Sequence, residues 1–417
     1  MKNKLFIFMV LYCSIISCVK PDKEIFQRES TYFIDLDSIK REGTFRTSDI
    51  FKKLNVIILE NHDYALISDI AGIAISGNNI FILDTDKVNK LFVFDKTTGK
   101  YLRQIGSQGQ GPGEYLSVSD FCIDIARKEI YLLDPNPAAP KIYKYNFETG
   151  KYIAKADIPG TDFGNAGIHY NYIALGSNGK LYLNTSYFYW DTWNKEKNDN
   201  RIMEFDFETR QYRGYISGNK YNLGWNETSF THWNFFISKS KYPKYVEEYM
   251  NTIFIVEPDT VSPYLTVKYK DWMTKELLYT GGDTGDKDDR VHYHSVYDNA
   301  KNIACQIHSY IEWSDYIYFE YRQKKYFPVL YNKKTGETRH YESKLNDLLV
   351  TKENVITAEF FYVNSKAAYD YIYPMKWEWY QDREPELFAA ELDRREELIK
   401  LFSGDMEYII IFEYEFK

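Results

Sequence analysis

Ile80-Phe81-Ile82-Leu83-Asp84, Lys90-Leu91-Phe92-Val93-Phe94-Asp95 and Thr98-Gly99-Lys100-Tyr101 return fifty residues later. The second copy reads Ile130-Tyr131-Leu132-Leu133-Asp134, Lys141-Ile142-Tyr143-Lys144-Tyr145-Asn146 and Thr149-Gly150-Lys151-Tyr152, its later half shifted by 51 through one inserted loop residue. A third copy runs Leu181-Tyr182-Leu183-Asn184, residues 202–207 and Thr209-Arg210-Gln211-Tyr212, with its middle loop lengthened by residues 190–200. A fourth is Thr252-Ile253-Phe254-Ile255-Val256 with residues 264–269, and a fifth is residues 316–320 with Val329-Leu330-Tyr331-Asn332-Lys333-Lys334-Thr335-Gly336. Each unit offers short strands separated by Gly, Asn and Asp turn signals. Repeats of about 40 to 50 residues with four short strands predict the blades of a β-propeller.

The remainder, residues 356–363 and 408–416, supplies a sixth blade, so the chain reads as all-β: a six-bladed propeller occupying residues 31–417 as one domain. One helix is expected as an insertion in the last blade, with Pro385 near its start, Leu387, Phe388, Leu392, Leu398, Ile399 and Phe402 at helical spacing, and Gly404 as its stop. The last strand, Tyr408-Ile409-Ile410-Ile411-Phe412-Glu413-Tyr414, is too apolar for an exposed edge. An N-terminal strand, residues 31–36 or 56–60, is expected to pair in the same blade and close the ring, which removes edges that invite aggregation.

The segment Leu102-Arg103-Gln104-Ile105-Gly106-Ser107-Gln108-Gly109-Gln110-Gly111-Pro112-Gly113-Glu114-Tyr115, following Phe92-Val93-Phe94-Asp95, resembles the hallmark of the six-bladed β-propeller lipoproteins of Gram-negative gut-type bacteria, relatives of NHL-type propellers. Residues 330–336 and the Pro-led helix before a terminal strand resemble the same family. The resemblance spans nearly the whole chain after the leader. It implies the fold and scarcely constrains the activity.

At the N-terminus, Lys2 and Lys4 precede an apolar run over residues 5–16, and Ile15-Ile16-Ser17-Cys18 closes it. That is a secretory signal peptide over residues 1–17, and its last tetrapeptide resembles a lipobox, which makes Cys18 the lipidated first mature residue. The run falls short of the roughly 18 residues that span a bilayer. Residues 18–30 read as the lipidated cysteine and a polar tether. The expected location is the cell envelope, lipid-anchored to the outer membrane on its periplasmic or surface face.

Without Lys2 and Lys4, 50 basic residues face 60 acidic ones, a formal charge of −10. That argues against nucleic acid as partner, because phosphate binding depends on basic side chains that release counterions. Of the four cysteines, Cys13 leaves with the leader and Cys18 carries lipid, and Cys122 and Cys305 sit in apolar runs that suit two separate buried thiols. Aromatic residues make up 18% of the chain, 39 of them Tyr, which belongs chiefly in strands.

Register across the repeats suggests where a ligand would sit. Ser68-Asp69 and Ser119-Asp120 stand 51 residues apart at the start of the innermost strands of blades one and two. The same register falls on His169 or Tyr170, His232 or Trp233, Gln306 or His308, and Glu359 in the later blades. Such a polar ring at the channel mouth would bind a polar ligand or a cation, calcium being the candidate ion, and the alternative is that Asp69 and Asp120 cap turns. The Gly109 to Tyr115 loop lacks the Lys-Ser/Thr ending of a phosphate loop and reads as a tight turn, with Glu114 and Tyr115 free to face a ligand.

Trp190, Trp193, Trp225 and Trp233 would offer an aromatic platform suited to a sugar ring if the insertion folds over one face, and packing of the insertion against the propeller is the favoured account of the same residues. His292 and His294 alternate on a strand without a third ligand at diagnostic spacing. Asp283, Asp286, Asp288 and Asp289 form an acidic loop that does not fit the EF-hand. No nucleophile elbow or zincin helix is present in the sequence. The reading is a non-catalytic, lipid-anchored propeller binding a glycan or an envelope protein. The alternative is a calcium-dependent hydrolase or polysaccharide lyase at the channel mouth, which requires Asp69 and Asp120 to converge with His169 or His308.

Overall fold

The computed structural model describes residues 30–136, 138–159, 168–187, 200–217, 236–246, 250–273, 302–349, 360–372 and 408–417. Cys18, Trp190, Trp193, Trp225, His232, Trp233, His292, His294, Glu359, the acidic loop at 283–289 and the helix read at 385–404 lie outside the described residues.

Six antiparallel sheets follow one another as blades. Blade one is Gly72–Ser76, Asn79–Asp84, Lys90–Asp95 and Tyr101–Ile105, and blade two is Asp120–Asp124, Glu129–Asp134, Lys141–Asn146 and Tyr152–Asp157. Blade three is Ile173–Leu175, Leu181–Asn184, Asn200–Phe205 and Tyr212–Ser217. Blade five is Gln306–Trp313, Tyr316–Arg322, Tyr326–Asn332 and Thr338–His340. First strands of blades two and three, four and five, and six and one touch each other, which places them at the axis.

Blade four, Phe236–Ser238, Lys244–Tyr245, Thr252–Glu257 and Thr260–Lys268, corrects the repeat alignment by one strand. The segments read as its second and third strands are its third and fourth, because its inner pair is short and carries little apolar signal. In blade six, Tyr362–Val363, Ala367–Ile372 and Ile410–Phe416 are completed by Phe51–Ile58, which runs antiparallel to the terminal strand from Ile410↔Ile58 to Phe416↔Phe51. Ring closure therefore comes from the later of the two N-terminal candidates. Tyr32–Asp35 instead adds in parallel to the outer strand of blade four, and Thr44–Arg46 pairs with Ser343–Leu345. The Tyr32–Asp35 strand thus covers the otherwise open outer edge of blade four.

The core is divided among the interfaces between blades. Phe81, Leu83, Leu91 and Val93 of blade one pack on Phe121, Ile130 and Leu132 of blade two, while Ile80, Ile82, Phe92 and Phe94 pack with Tyr369 and Ile411 of blade six. A middle strand of a blade is covered on both faces, which explains the unbroken apolar runs that carry the repeat.

Tyrosine serves these interfaces in a particular way. The Tyr131, Tyr182, Tyr318 and Tyr369 hydroxyls donate to Glu129, Glu204, Glu320 and Glu413 at 2.8, 2.7, 2.7 and 2.6 Å. Each glutamate also meets a lysine: Lys144, Lys180, Lys344 and Lys96 respectively. A fifth cluster gathers Tyr264, Tyr310, Lys244 and Lys333 on Glu312. Burial alone would raise the Glu312 carboxyl, but the Lys244 charge and the bonds from Tyr264 and Lys333 outweigh it and hold the group below the usual range. Cys122 and Cys305 are both buried, and burial pushes the Cys122 thiol far up.

His340, only 4% exposed, ends blade five with its Nε2 2.9 Å from the Tyr321 hydroxyl, which also accepts from Arg41. Burial, with the Arg41 charge, pushes the imidazole down to about 4. In the unfolded chain it protonates near 6.5, so between pH 6.5 and 4 the unfolded state binds the extra proton. Stability from this group is therefore present above 6.5 and lost as pH falls toward 4, about 3 kcal/mol in full. Thermal midpoints measured from pH 7 to pH 4.5 should fall less steeply for His340→Gln than for the native protein, and parallel profiles would refute the assignment.

Candidate functional site

The second strands of blades one, two and three end in Asp84, Asp134 and Asn184, fifty residues apart, and each fastens the loop that enters its own inner strand. Asp84 accepts from Ser68 N at 2.6 Å and Ser68 Oγ at 2.8 Å, Asp134 from Leu116 N at 2.9 Å and Ser117 Oγ at 3.2 Å, and Asn184 from Tyr172 N at 2.7 Å. These clips set the height at which the inner strands start. The repeat alignment contained all three residues, and their shared position after an apolar strand was the signal that could have identified them.

Asp69 turns its carboxylate onto its own backbone, accepting from Ile70 N at 2.8 Å. Asp120 is different. Only 5% exposed, it accepts from Ile173 N of blade three at 2.8 Å and from Lys239, just past the inner strand of blade four, at 2.5 and 2.6 Å. Lys239 Nζ also donates to Phe121 O at 3.0 Å. An innermost strand has a neighbour on one side alone and presents unpaired backbone groups to the channel. Asp120, Lys239 and Tyr362, which donates to Ile75 O at 3.0 Å, satisfy three such groups.

These residues border a cavity of about 150 Å³ on the axis, walled by Gly72–Ser76, by residues 120–123, by Leu175, by residues 236–239 and by residues 360–363. Ile125 and Phe361 on its wall are 64% and 37% exposed, so it opens to solvent.

Asp120 alone of the expected ring residues with described side chains borders this cavity. Tyr115 is completely buried between blades one and two, its hydroxyl donating to Asn89 O at 3.1 Å. Glu114 bends back into its own loop and accepts from Gly111 N at 2.7 Å. His308 lies on the inner strand of blade five beside Ser309 Oγ at 2.8 Å and the Tyr326 ring at 5.1 Å, apart from the cavity wall. His169 belongs to a two-residue strand paired with Ser186–Tyr187. The expected convergence of Asp69 and Asp120 with a histidine is therefore not formed with His308, and among the described residues no three His, Cys, Asp or Glu side chains come together to hold a metal ion. Sequence reasoning missed Lys239, Leu175 and Phe361, which face the axis through blade geometry that no local motif marks.

A family model described as a domain of unknown function, DUF4934, matches residues 31–401. The chain belongs to that family. Among solved structures, a Bacteroides fragilis protein named as an exported one superposes with a TM-score of 0.62 at 16% identity, covering 92% of this chain and 99% of its own. A duf4221 member from Bacteroides vulgatus gives 0.46 at 10% identity, with 88% and 97% covered. The first likeness establishes that this DUF4934 chain shares a fold with that protein. No curated protein sequence matches it.

Proposed function

We propose that this protein is a non-catalytic, lipid-anchored propeller of the cell envelope that binds a ligand or an envelope protein at the axis of its ring. The observation that carries this reading is the solvent-open axial cavity walled by five blades. Its one buried carboxylate, Asp120, is engaged by Lys239 and by the Ile173 amide, an arrangement suited to holding blades together rather than to proton transfer. The envelope location rests on the basic, apolar and cysteine-terminated leader, on the resemblance to lipoprotein propellers, and on the exported name of the B. fragilis protein of the same fold. A glycan is favoured as ligand by the aromatic load of the chain, with Trp190 and Trp193 as stacking residues.

Thermal unfolding of protein beginning at Val19, scanned against oligosaccharides with calcium or with chelator, tests the reading. A ligand at about 100 times its dissociation constant should add roughly 2.7 kcal/mol. A sugar that raises the midpoint and is recovered intact supports the binder. Consumption of the sugar would replace it with the hydrolase or lyase reading. For the anchor, incorporation of labelled fatty acid should be lost in Cys18→Ser.

A further inference from the structure

We propose that the axial cavity takes the single neutral sugar residue at the end of a glycan chain. This rests on the glycan reading of the axial site and specifies which part of the chain enters it. Size is the first constraint: a cavity of about 150 Å³ has room for one six-membered ring. Its wall comes from five blades. A residue inside a chain, continued on two sides, is therefore excluded, whereas a terminal residue enters along the axis.

Backbone supplies the second constraint. Tyr362 donates to Ile75 O and Lys239 to Phe121 O, so these carbonyls point away from their own sheets and toward the axis. Bonded and non-bonded positions alternate along an antiparallel ladder. Ile73 and Ile123, each next but one to these residues, therefore turn their N–H and C=O groups the same way. The side chains of Ile73, Ile75, Phe121 and Ile123 pack between blades, and it is their backbone that lines the cavity. Their N–H groups and the carbonyls of Ile73 and Ile123 remain for a ligand. A sugar hydroxyl both donates and accepts, so a pyranose meets both kinds of group. The Ser76 and Ser238 hydroxyls stand beside them, and Leu175 and the Phe361 ring offer surface to its C–H face.

The same groups are the template on which an extended peptide adds as a strand. That pairing needs the carbonyls of Ile75 and Phe121, which are taken, and a length of chain that the cavity does not hold. Charge is the last constraint. An ammonium has three N–H groups, and those of Lys239 are engaged by both Asp120 oxygens and by Phe121 O. Lys239 is the one cation among the described wall residues. A carboxylate on the sugar would have to break this pair, so the residue is neutral.

Calorimetric titration of the full-length protein tests the proposal. The probes are glucose, galactose and mannose, the linear disaccharide and hexasaccharide of each, the matching uronates, and an uncharged extended hexapeptide. One monosaccharide should bind a single saturable site, and its hexasaccharide should bind no tighter than its disaccharide, because each chain presents the same end. The matching uronate should be at least about tenfold weaker, since its charge goes unpaired. Binding should vanish in Ser238→Trp, which fills the cavity. Should that variant fail to fold, Leu175→Phe makes the same test. Equal or tighter binding of the uronate overturns the neutral class. Affinity that climbs with chain length and survives in Ser238→Trp overturns end recognition at the axis yet leaves the envelope glycan binder standing. Binding of the hexapeptide and of no sugar replaces the glycan with an added strand, and silence toward every probe overturns both this inference and the glycan reading.

Discussion

Gly99→Ala should destabilise the protein by about 4 kcal/mol and Gly336→Ala by only about 1 kcal/mol, although the two glycines occupy the same turn. In both, the residue that closes the third strand of a blade accepts a backbone bond three residues on: Asp95 from Thr98 N at 2.7 Å, Asn332 from Thr335 N at 3.1 Å. The following glycine then takes a positive φ, 70° at Gly99 and 73° at Gly336. An alanine pays the left-handed penalty at either place. At position 99 its Cβ would also fall 1.9 Å from Ile58 O, whereas at 336 nothing lies within 4 Å. Ile58 ends the strand that closes the ring, and Gly99 O accepts from Glu60 N at 2.8 Å just beyond it. Overpacking against backbone in this place must displace the closing strand. Urea unfolding of the two variants measures the difference, with Gly150→Ala, whose Cβ would meet Gln104 O at 3.2 Å, expected between them. Equal losses at 99 and 336 would show that the turn conformation, rather than ring closure, sets the cost.

Glu320→Leu should cost about 3 to 5 kcal/mol, the loss expected when one member of a buried ion pair is removed. Glu320 is fully buried, receives both contacts of Lys344 at 2.8 and 2.9 Å, and accepts from the Tyr318 hydroxyl at 2.7 Å. Its removal strands an ammonium that is 13% exposed together with a buried phenol. Adding Lys344→Met should restore much of the loss, because a hydrophobic pair of similar volume avoids the desolvation of both charges. Denaturant midpoints of the two single variants and the double variant form the cycle. An additive double variant would mean that Lys344 escapes to solvent when its partner is gone.

The fifty-residue repeat was legible because the same interfaces recur: strands buried on both faces demand unbroken apolar runs, and a Thr-Gly after Asp or Asn demands a left-handed turn. Those are local requirements, so blades one, two, three and five could be placed from residues alone. In blade four the inner strands, Phe236–Ser238 and Lys244–Tyr245, are too short to carry a pattern, and the alignment slipped by one strand. The tyrosines could be assigned to strands, but not to the glutamates and lysines they would meet, since Tyr369 and Glu413 are 44 residues apart and Lys96 and Glu413 are 317 apart.

The candidate site divides in the same way. Asp120 was singled out by aligning it with Asp69, yet strand pairing corrects that register, because Gly72 opposite Leu83 is the blade-one counterpart of Asp120 opposite Leu133 and Asp69 lies three residues earlier, while Tyr115 and Glu114 belong to a conspicuous loop whose job is its own packing. The sequence by itself determined the repeat, its turns and the number of blades, because each depends on residues near one another in the chain. Closing the ring through Phe51–Ile58, pairing Asp120 with Lys239 and placing Leu175 and Phe361 around one cavity were decided only in three dimensions. The axis of a propeller is built from the first strand of every blade, so its lining is assembled from segments that share a radius and no sequence neighbourhood.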